Sequence, residues 1–278
     1  MFSFRYLRAT SLDEALNLLQ KYGSDARILA GGTDLLVNLQ DGVEQPGYLI
    51  DIKPISEMHR IWLASDGTLH IGAGVTINRL FDFPDLPESM HAIRQAAGSL
   101  GSYQIRNRAT VGGNICNASP ACDLGPPLLV LGAQLRAVSK RGDRTIPIKE
   151  FFKGVKTTCL EPGEIITEII VPLAQDTHSV FLKRSRIKGH DLAIVNAAGA
   201  LSQEGNLRIA LGAVAPRPLL FEDFDGATFK ERSSILEVIQ RSIAPIDDVR
   251  GSAVYRRYMV EVLVTEIIER LADRLDQG

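Results

Sequence analysis

The sequence contains few cysteines and no long apolar run. Its three cysteines, Cys116, Cys122 and Cys159, are unevenly spaced, which excludes a disulfide framework and suits a reducing cytoplasm. No apolar stretch approaches the roughly 20 residues that a membrane-spanning helix requires. We therefore expect a cytoplasmic protein without a membrane span.

The charges are nearly balanced, and the usual catalytic motifs are missing. With 31 Lys and Arg against 33 Asp and Glu, the formal net charge is −2, so no overall basic field attracts nucleic acid. There is no Gly-x4-Gly-Lys-Ser/Thr phosphate loop and no Gly-x-Ser-x-Gly nucleophile elbow. The five histidines are scattered, and Cys116 and Cys122 lack the second pair of ligands that a zinc or iron–sulfur site needs. The sequence thus shows no catalytic or metal site of its own, which fits a protein whose cofactor performs the chemistry.

The length of 278 residues predicts two domains, or one domain with an appendage. Hydrophobic residues make up 45% of the chain, which is enough for ordinary cores. Periodicity and turn signals predict a small α/β unit over about 1–56, a second α/β unit over about 57–174, and strands followed by helices from about Thr177. The predicted fold class is α+β.

In the first unit, Ser11 is predicted to cap a helix, and Glu14 completes a capping box. A strand over Arg27–Ala30 then runs into the first glycine loop, Ala30-Gly31-Gly32-Thr33-Asp34, and a helical turn follows over Leu35–Gln40. Paired glycines permit positive φ and close approach of a ligand, and successive backbone amides can converge on an anion. A plain strand-to-helix turn explains the same residues, so this loop alone leaves both interpretations open.

The second unit contains a run rich in Gly, Asn, Ser and Pro, Tyr103–Leu129, which is more typical of binding loops than of spacers. Within it, the second glycine loop, Thr110-Val111-Gly112-Gly113-Asn114, repeats the pattern of the first, and Ser119 and Asp123 follow closely. Two such loops in adjacent units predict a long phosphorylated ligand lying between the units. Asp123 suits ribose or ribityl hydroxyls better than phosphate, because like charges repel.

The third unit is predicted to have antiparallel strands near 180–185, 192–201 and 207–214, then helices over 233–244 and 252–275. An apolar stripe from Val260 to Leu271 is typical of a helix face that packs in a core. The basic run Lys183–Lys188 has two interpretations. Either it is a solvated strand edge protected by charge, which is the commoner case, or Lys183 faces an anionic ligand.

Taken in order, these motifs resemble those of the FAD-binding medium subunit of the xanthine dehydrogenase family of molybdenum hydroxylases, which includes carbon monoxide dehydrogenase. The resemblance covers essentially the whole chain. Its landmarks are Ala30–Leu35, Gln104–Asn114, Ala118-Ser119-Pro120 with Asp123, Glu164-Ile165-Ile166, Asp248–Ala253 and Tyr255-Arg256-Arg257.

The resemblance implies an FAD-binding domain of the vanillyl-alcohol-oxidase (PCMH) type over 1–174, built from α/β subdomains at about 1–56 and 57–174. A domain like the C-terminal domain of carbon monoxide dehydrogenase flavoproteins follows over 177–278, with a small antiparallel sheet and a helical bundle. FAD is expected between the first two subdomains. The implied FAD-binding residues are Ile28, Leu29, Ala30, Gly31, Gly32, Thr33, Asp34, Leu35, Leu100, Thr110, Val111, Gly112, Gly113, Asn114, Ser119, Asp123, Ile166 and Lys183.

The resemblance also assigns roles. Ile28–Leu35 and Thr110–Asn114 are expected to wrap the pyrophosphate, Asp123 to bond hydroxyls of the ribose or ribityl region, and Lys183 to lie near the flavin ring. Lys183 is therefore interpreted as ligand-facing after all. We expect valine at both Gly112 and Gly113 to abolish FAD retention while leaving the fold largely intact.

The implied partners are a large molybdopterin subunit that hydroxylates a substrate with water and a small subunit with two [2Fe–2S] clusters, in a dimer of heterotrimers. FAD is expected to collect single electrons from a cluster and to pass a pair to an external acceptor such as NAD, with access through Lys188–Asp191. Two alternatives stay open: a free-standing FAD-dependent oxidoreductase with its own substrate, and a scaffold subunit without a cofactor.

Overall fold

The computed structural model describes residues 3–173, 177–187, 191–225 and 232–275. The strands are β1 (Arg5–Arg8), β2 (Ala26–Leu29), β3 (Tyr48–Asp51), β4 (Ile61–Leu63), β5 (Leu69–Gly72), β6 (Gln134–Ser139), β7 (Gly142–Pro147), β8 (Phe152–Gly154), β9 (Thr157–Thr158), β10 (Ile165–Val171), β11 (Thr177–Arg184), β12 (Val195–Ser202), β13 (Asn206–Gly212) and β14 (Leu219–Asp225). The α-helices are α1 (Leu12–Tyr22), α2 (Leu35–Gln40), α3 (Ile77–Phe81), α4 (His91–Ser99), α5 (Tyr103–Arg106), α6 (Val111–Cys116), α7 (Gly125–Val130), α8 (Ile148–Phe151), α9 (Arg232–Ser242) and α10 (Ala253–Leu275).

The first unit is a three-stranded parallel sheet in the order β1-β3-β2. Ser11 caps α1 as predicted, because its Oγ accepts the Glu14 N–H at 3.2 Å. The Glu14 carboxylate reaches back to the N–H of Thr10 at 2.8 Å, one residue earlier than in a standard capping box. The first glycine loop follows β2 and so emerges at the carboxyl edge of the sheet, where open α/β sheets bind ligands.

The second unit is a five-stranded antiparallel sheet in the order β4-β5-β10-β6-β7. Strands β6 and β7 form a hairpin, with Ser139 opposite Gly142 at its turn. Buried residues of α4, α6 and α7 share one hydrophobic core with the first unit, so the two subdomains are packed together.

The third unit is a four-stranded antiparallel sheet in the order β11-β12-β13-β14. Side chains alternate between two cores along β12. Val195, Ala197 and Leu201 pack in a core formed with α10, whereas Ala198 and Ala200 belong to the core of the first two units. One face of the third unit's sheet therefore packs in the core of the first two units, and its other face packs against α10. The predicted apolar stripe of α10 is confirmed as a core face.

Helix α4 covers the edge strand β11, which would otherwise expose unpaired backbone groups. The Gln95 side chain accepts the Phe181 N–H at 2.7 Å, and the Ser179 Oγ accepts the Ala92 N–H at 3.1 Å. These bonds fix the third unit against the second and bring the end of β11 close to the end of α4.

The glycine-rich run from Tyr103 to Leu129 contains three short helices, where only loops were predicted. Ser102 and Thr110 cap α5 and α6, accepting the N–H groups of Ile105 and Gly113. Each helix is only four to six residues long, too short to show a hydrophobic period in the sequence.

Candidate functional site

A cavity of about 1190 Å³ lies where the three units meet. Its walls include both glycine loops, α6 and the segment that follows it, and residues of the third unit such as Ala213 and Pro216. This volume exceeds that of ordinary small-molecule pockets, so the cavity suits an elongated ligand. The sequence predicted a site between the first two units, but the third unit also contributes to the wall.

The first glycine loop presents free backbone donors to this cavity. Within the described residues, the N–H groups of Gly31, Gly32, Thr33 and Asp34 make no hydrogen bond. Gly32 has φ of 79°, the left-handed conformation that allows successive amides to converge. The loop therefore presents the backbone geometry that an anion site requires.

Gly31 has a separate role, which is close packing. A Cβ on Gly31 would lie 2.2 Å from the carbonyl oxygen of Arg108, whose chain leads into the second glycine loop. Glycine at this position therefore allows the two loops to approach each other across the boundary between the first two units.

The second glycine loop uses its own backbone donors internally. The N–H groups of Val111 and Gly112 bond the carbonyls of Val75 and Ala73, each at 2.9 Å. Those of Gly113 and Asn114 bond the Oγ1 and carbonyl of Thr110 at 3.1 and 2.9 Å. This loop therefore anchors α6 to the second sheet rather than offering a nest of amides.

The expected outcome of valine at both Gly112 and Gly113 needs correction. A Cβ on Gly112 would lie 2.6 Å from the Cβ of Ala73 and 2.8 Å from its carbonyl oxygen, so valine there disrupts the joint with the sheet. A Cβ on Gly113 meets only the Thr110 hydroxyl, at 2.8 Å. We therefore expect the double variant to disturb the fold at this joint as well as FAD binding.

Asn114 positions the segment that follows α6. Its Oδ1 accepts hydrogen bonds from the Cys122 thiol at 2.9 Å and the Leu124 N–H at 3.3 Å. Burial raises the pKa of the Cys122 thiol to about 12, so this cysteine is a buried packing residue. The cavity wall from Ser119 to Asp123 is held by these contacts.

Asp123 is buried, and two side chains of the third unit bind its carboxylate. Its Oδ2 lies 2.7 Å from the Nζ of Lys183, and its Oδ1 accepts the Asn196 side-chain amide at 3.1 Å. Burial raises the pKa of the Asp123 carboxyl, while Lys183 and Asn196 act to lower it. Lys183 also donates to the Ser99 carbonyl at 3.2 Å. Lys183 does not line the cavity itself; it contacts Asp123, which does.

The structure brings most of the predicted cofactor-binding residues to one cavity. Of the eighteen, all line its wall except Leu29, Val111 and Lys183. Leu29 and Val111 are buried in the protein core behind the loops. Leu100 and Ile166, 8% and 4% exposed, form apolar patches of the wall.

Several lining residues were not predicted as ligands. Asn117 and Lys156 lie beside the glycine loops, and Arg250 and Arg256 enter from the third unit. Asp248 bonds both arginines, at 2.7 and 2.8 Å. Burial raises the pKa of this carboxyl, but hydrogen bonds from Arg250 outweigh that effect and hold the pKa at about 2.

Residues 188–190 of the predicted access segment Lys188–Asp191 lie outside the described residues. Asp191 lines the cavity, and its carboxylate accepts the Arg186 Nε–H at 2.8 Å. In the part of the chain that the structure describes, no helix is long and apolar enough to cross a bilayer.

Two protein-family models match the chain. The model described as the FAD binding domain in molybdopterin dehydrogenase matches residues 2–174. The model described as the CO dehydrogenase flavoprotein C-terminal domain matches residues 180–271.

Similar proteins align with the chain over nearly its full length. A xanthine dehydrogenase FAD-binding subunit from Escherichia coli O157:H7 is 32% identical, with 96% of each chain covered. A carbon monoxide dehydrogenase medium chain from Hydrogenophaga pseudoflava is 34% identical, with 94% of each covered. A solved structure of carbon monoxide dehydrogenase from the same organism superposes with a TM-score of 0.91 at 31% identity, covering 98% of both chains. Quinoline 2-oxidoreductase from Pseudomonas putida 86 gives a TM-score of 0.88 at 29% identity, again covering 98% of both.

Proposed function

Because the chain belongs to the family of FAD-binding subunits of molybdopterin dehydrogenases, we propose that it is the electron-transfer subunit of a multi-subunit molybdenum hydroxylase. In this proposal, bound FAD accepts single electrons from [2Fe–2S] clusters on a partner subunit and delivers electron pairs to an external acceptor such as NAD. The chain itself binds, orients and shields the cofactor.

The observation that carries the proposal is the first glycine loop. The four unbonded amides of residues 31–34 line a cavity large enough for a dinucleotide. Gly31, Gly32 and Thr33 are half-buried and Asp34 is exposed, so these donors are accessible from the cavity, and a row of unbonded amides there favours a ligand that accepts hydrogen bonds. A pyrophosphate fits this requirement, and we assign these amides to its oxygens.

Asp123 is assigned to hydroxyl groups of the ligand. Each of its oxygens accepts one side-chain hydrogen bond from the third unit, and each carboxylate oxygen has two lone pairs. Both oxygens can therefore accept a further bond from ribose or ribityl hydroxyls. Lys183 and Asn196 fix the carboxylate so that it does not lose orientation when the ligand binds.

Leu100 and Ile166 are assigned to apolar contact with the cofactor. Both are buried and line the cavity, Leu100 from the end of α4 and Ile166 from the strand β10. Apolar walls exclude water from the bound ligand and strengthen the polar contacts at its other positions.

The proposed partners are a large molybdopterin subunit and a small iron–sulfur subunit, assembled as a cytoplasmic dimer of heterotrimers. The full-length similarity to a medium chain of carbon monoxide dehydrogenase supports this assignment, because a medium chain is one part of a larger complex. The substrate that the complex hydroxylates is assigned to the large subunit.

The test is to purify the chain alone and together with the products of its neighbouring genes, and to record the visible spectrum of each sample. We expect a flavin spectrum and, in the complex, reduction of NAD when the substrate is supplied. A chain that neither carries nor takes up flavin in either sample would refute the proposal. Turnover of a small organic substrate by the isolated yellow chain would instead identify a free-standing FAD enzyme.

A further inference from the structure

Lys156 places a positive charge beside the first glycine loop. It lies in the turn between β8 and β9, and its Nζ donates to the Asn117 Oδ1 at 2.6 Å. The Asn117 amide nitrogen in turn donates to Asp34 Oδ1 at 2.9 Å. A single asparagine side chain therefore separates the ammonium group from the last residue of the loop, and all three residues line the cavity.

Among the lining cations, Lys156 differs in its partners. Three others are each paired with a carboxylate: Arg27 with Glu44, and both Arg250 and Arg256 with Asp248. Within the described residues, Lys156 has no carboxylate oxygen within 4.0 Å. An ammonium has three donors, and only one is used by Asn117, so Lys156 retains charge and donors for a ligand.

The first glycine loop needs such a charge. Its residues are neutral apart from Asp34, whose carboxylate would repel a pyrophosphate bound to the neighbouring amides. A cation next to Asp34 offsets that repulsion and favours the ligand in the same place.

The backbone at Lys156 is strained, which supports a role for the side chain. Among the residues that the structure describes, three other than glycine have positive φ: Ala118 at 44°, Lys156 at 55° and Ala213 at 64°. The Lys156 N–H bonds the Ala118 carbonyl at 3.0 Å, and the Ala213 N–H bonds the Pro120 carbonyl at 2.7 Å. All three strained positions thus hold the same stretch of cavity wall. Strain of this kind clusters at ligand sites, and glycine would adopt the Lys156 conformation without it.

We propose that Lys156 is the electrostatic partner of the pyrophosphate of FAD and that Asn117 positions it. This assignment rests on the proposed function, since it names a further contact within the same site. The amides of the first loop then supply directional hydrogen bonds, while Lys156 supplies the countercharge.

The test uses the full chain, stripped of flavin and titrated with FAD at low and high salt. Lys156→Met and Lys156→Gly should weaken FAD binding by about five- to tenfold at low salt, and the loss should shrink at high salt because the ammonium is solvent-exposed. Lys156→Arg should restore most of the affinity. Lys156→Gly relieves the backbone strain, so it separates loss of charge from loss of folding.

Two controls sharpen the measurement. Lys153→Met removes an exposed lysine of β8 that does not line the cavity, and it should leave the affinity unchanged. Riboflavin, which lacks phosphate, should bind all variants alike. If the wild-type chain binds FAD while Lys156→Met and Lys156→Gly bind within about twofold of it, the countercharge assignment is wrong and the proposed function stands. If the wild-type chain binds no FAD, both are overturned.

Discussion

The contact between the first glycine loop and the segment that leads into the second can be tested at Gly31. An alanine Cβ would lie 2.2 Å from the Arg108 carbonyl oxygen and 2.9 Å from its carbon, whereas ordinary contacts begin near 3.4 Å. Both partners are backbone, so neither can rotate away. To accept the methyl group of Gly31→Ala, the two segments must separate by about 1.2 Å, the difference between 3.4 and 2.2 Å.

Overpacking of this kind costs about 1–3 kcal/mol. If the two segments separate to relieve the overpacking, FAD binding must bring them back to their original spacing. The energy of overpacking is then lost from the binding free energy, which weakens FAD affinity by about 5- to 150-fold. The affinity is measured by quenching of flavin fluorescence, and the free energy of unfolding by urea denaturation. Gly154→Ala is the matched control, because a Cβ there meets nothing within 4 Å and no positive φ is involved.

Two results would refute this reasoning. The first is a Gly31→Ala variant that binds FAD as tightly as the wild-type chain and unfolds at the same urea concentration, since the close contact would then be dispensable. The second is an equal loss of affinity in Gly31→Ala and Gly154→Ala, since the effect would then not depend on the spacing of the two segments.

The remaining predictions concern buried groups. Asp248→Asn should lower the free energy of unfolding by about 3 kcal/mol at pH 7, because the buried Arg256 loses its carboxylate partner, whereas breaking the exposed helical pair of Glu266 by Glu266→Gln should cost below about 0.5 kcal/mol. Hydrogen bonds from Arg250 outweigh burial and hold the pKa of Asp248 at about 2, below its unfolded value, so its contribution is present above about pH 4 and is lost as the pH falls towards 2. The difference between the wild-type chain and Asp248→Asn in urea denaturation should therefore shrink over that range, and a constant difference would contradict the assignment. Cys122, whose pKa burial raises to about 12, should resist iodoacetamide at pH 8 in the folded chain and react after unfolding in urea; rapid alkylation of the folded chain would show that the thiol is accessible.

Local rules account for much of the secondary structure. The N-cap at Ser11, the helix over Leu35–Gln40 and the long C-terminal helix follow from capping residues and a regular apolar period. Strands β4, β8, β9 and β14 were missed, and β8 and β9 have only three and two residues. β4 has three residues, too few for an alternating pattern, and β14 is defined by its pairing with β13, which is a tertiary contact.

Most of the residues that line the cavity at the glycine loops were predicted, but the contacts that each of them makes were not. Paired glycines predict close approach of backbone or ligand, and the structure shows the close approach of backbone at Gly31 and Gly112. Which partner each glycine meets depends on long-range packing: Gly31 meets Arg108, and Gly112 meets Ala73. Lys156 and Asn117 are also far apart in the sequence, and no local sequence pattern predicts the contact between them.

The third unit is part of the proposed FAD site. Asp123 lies in the second unit, yet both side chains that hold its carboxylate, Lys183 and Asn196, come from the third. The backbone of the same wall is held by Ala213, also from the third unit. A buried carboxylate without these partners would bear the cost of desolvation with no compensation, which favours the protonated form and a different orientation. The geometry that we propose for binding ligand hydroxyls therefore depends on the packing of β11 and β12 against the first two units, as much as on the glycine loops.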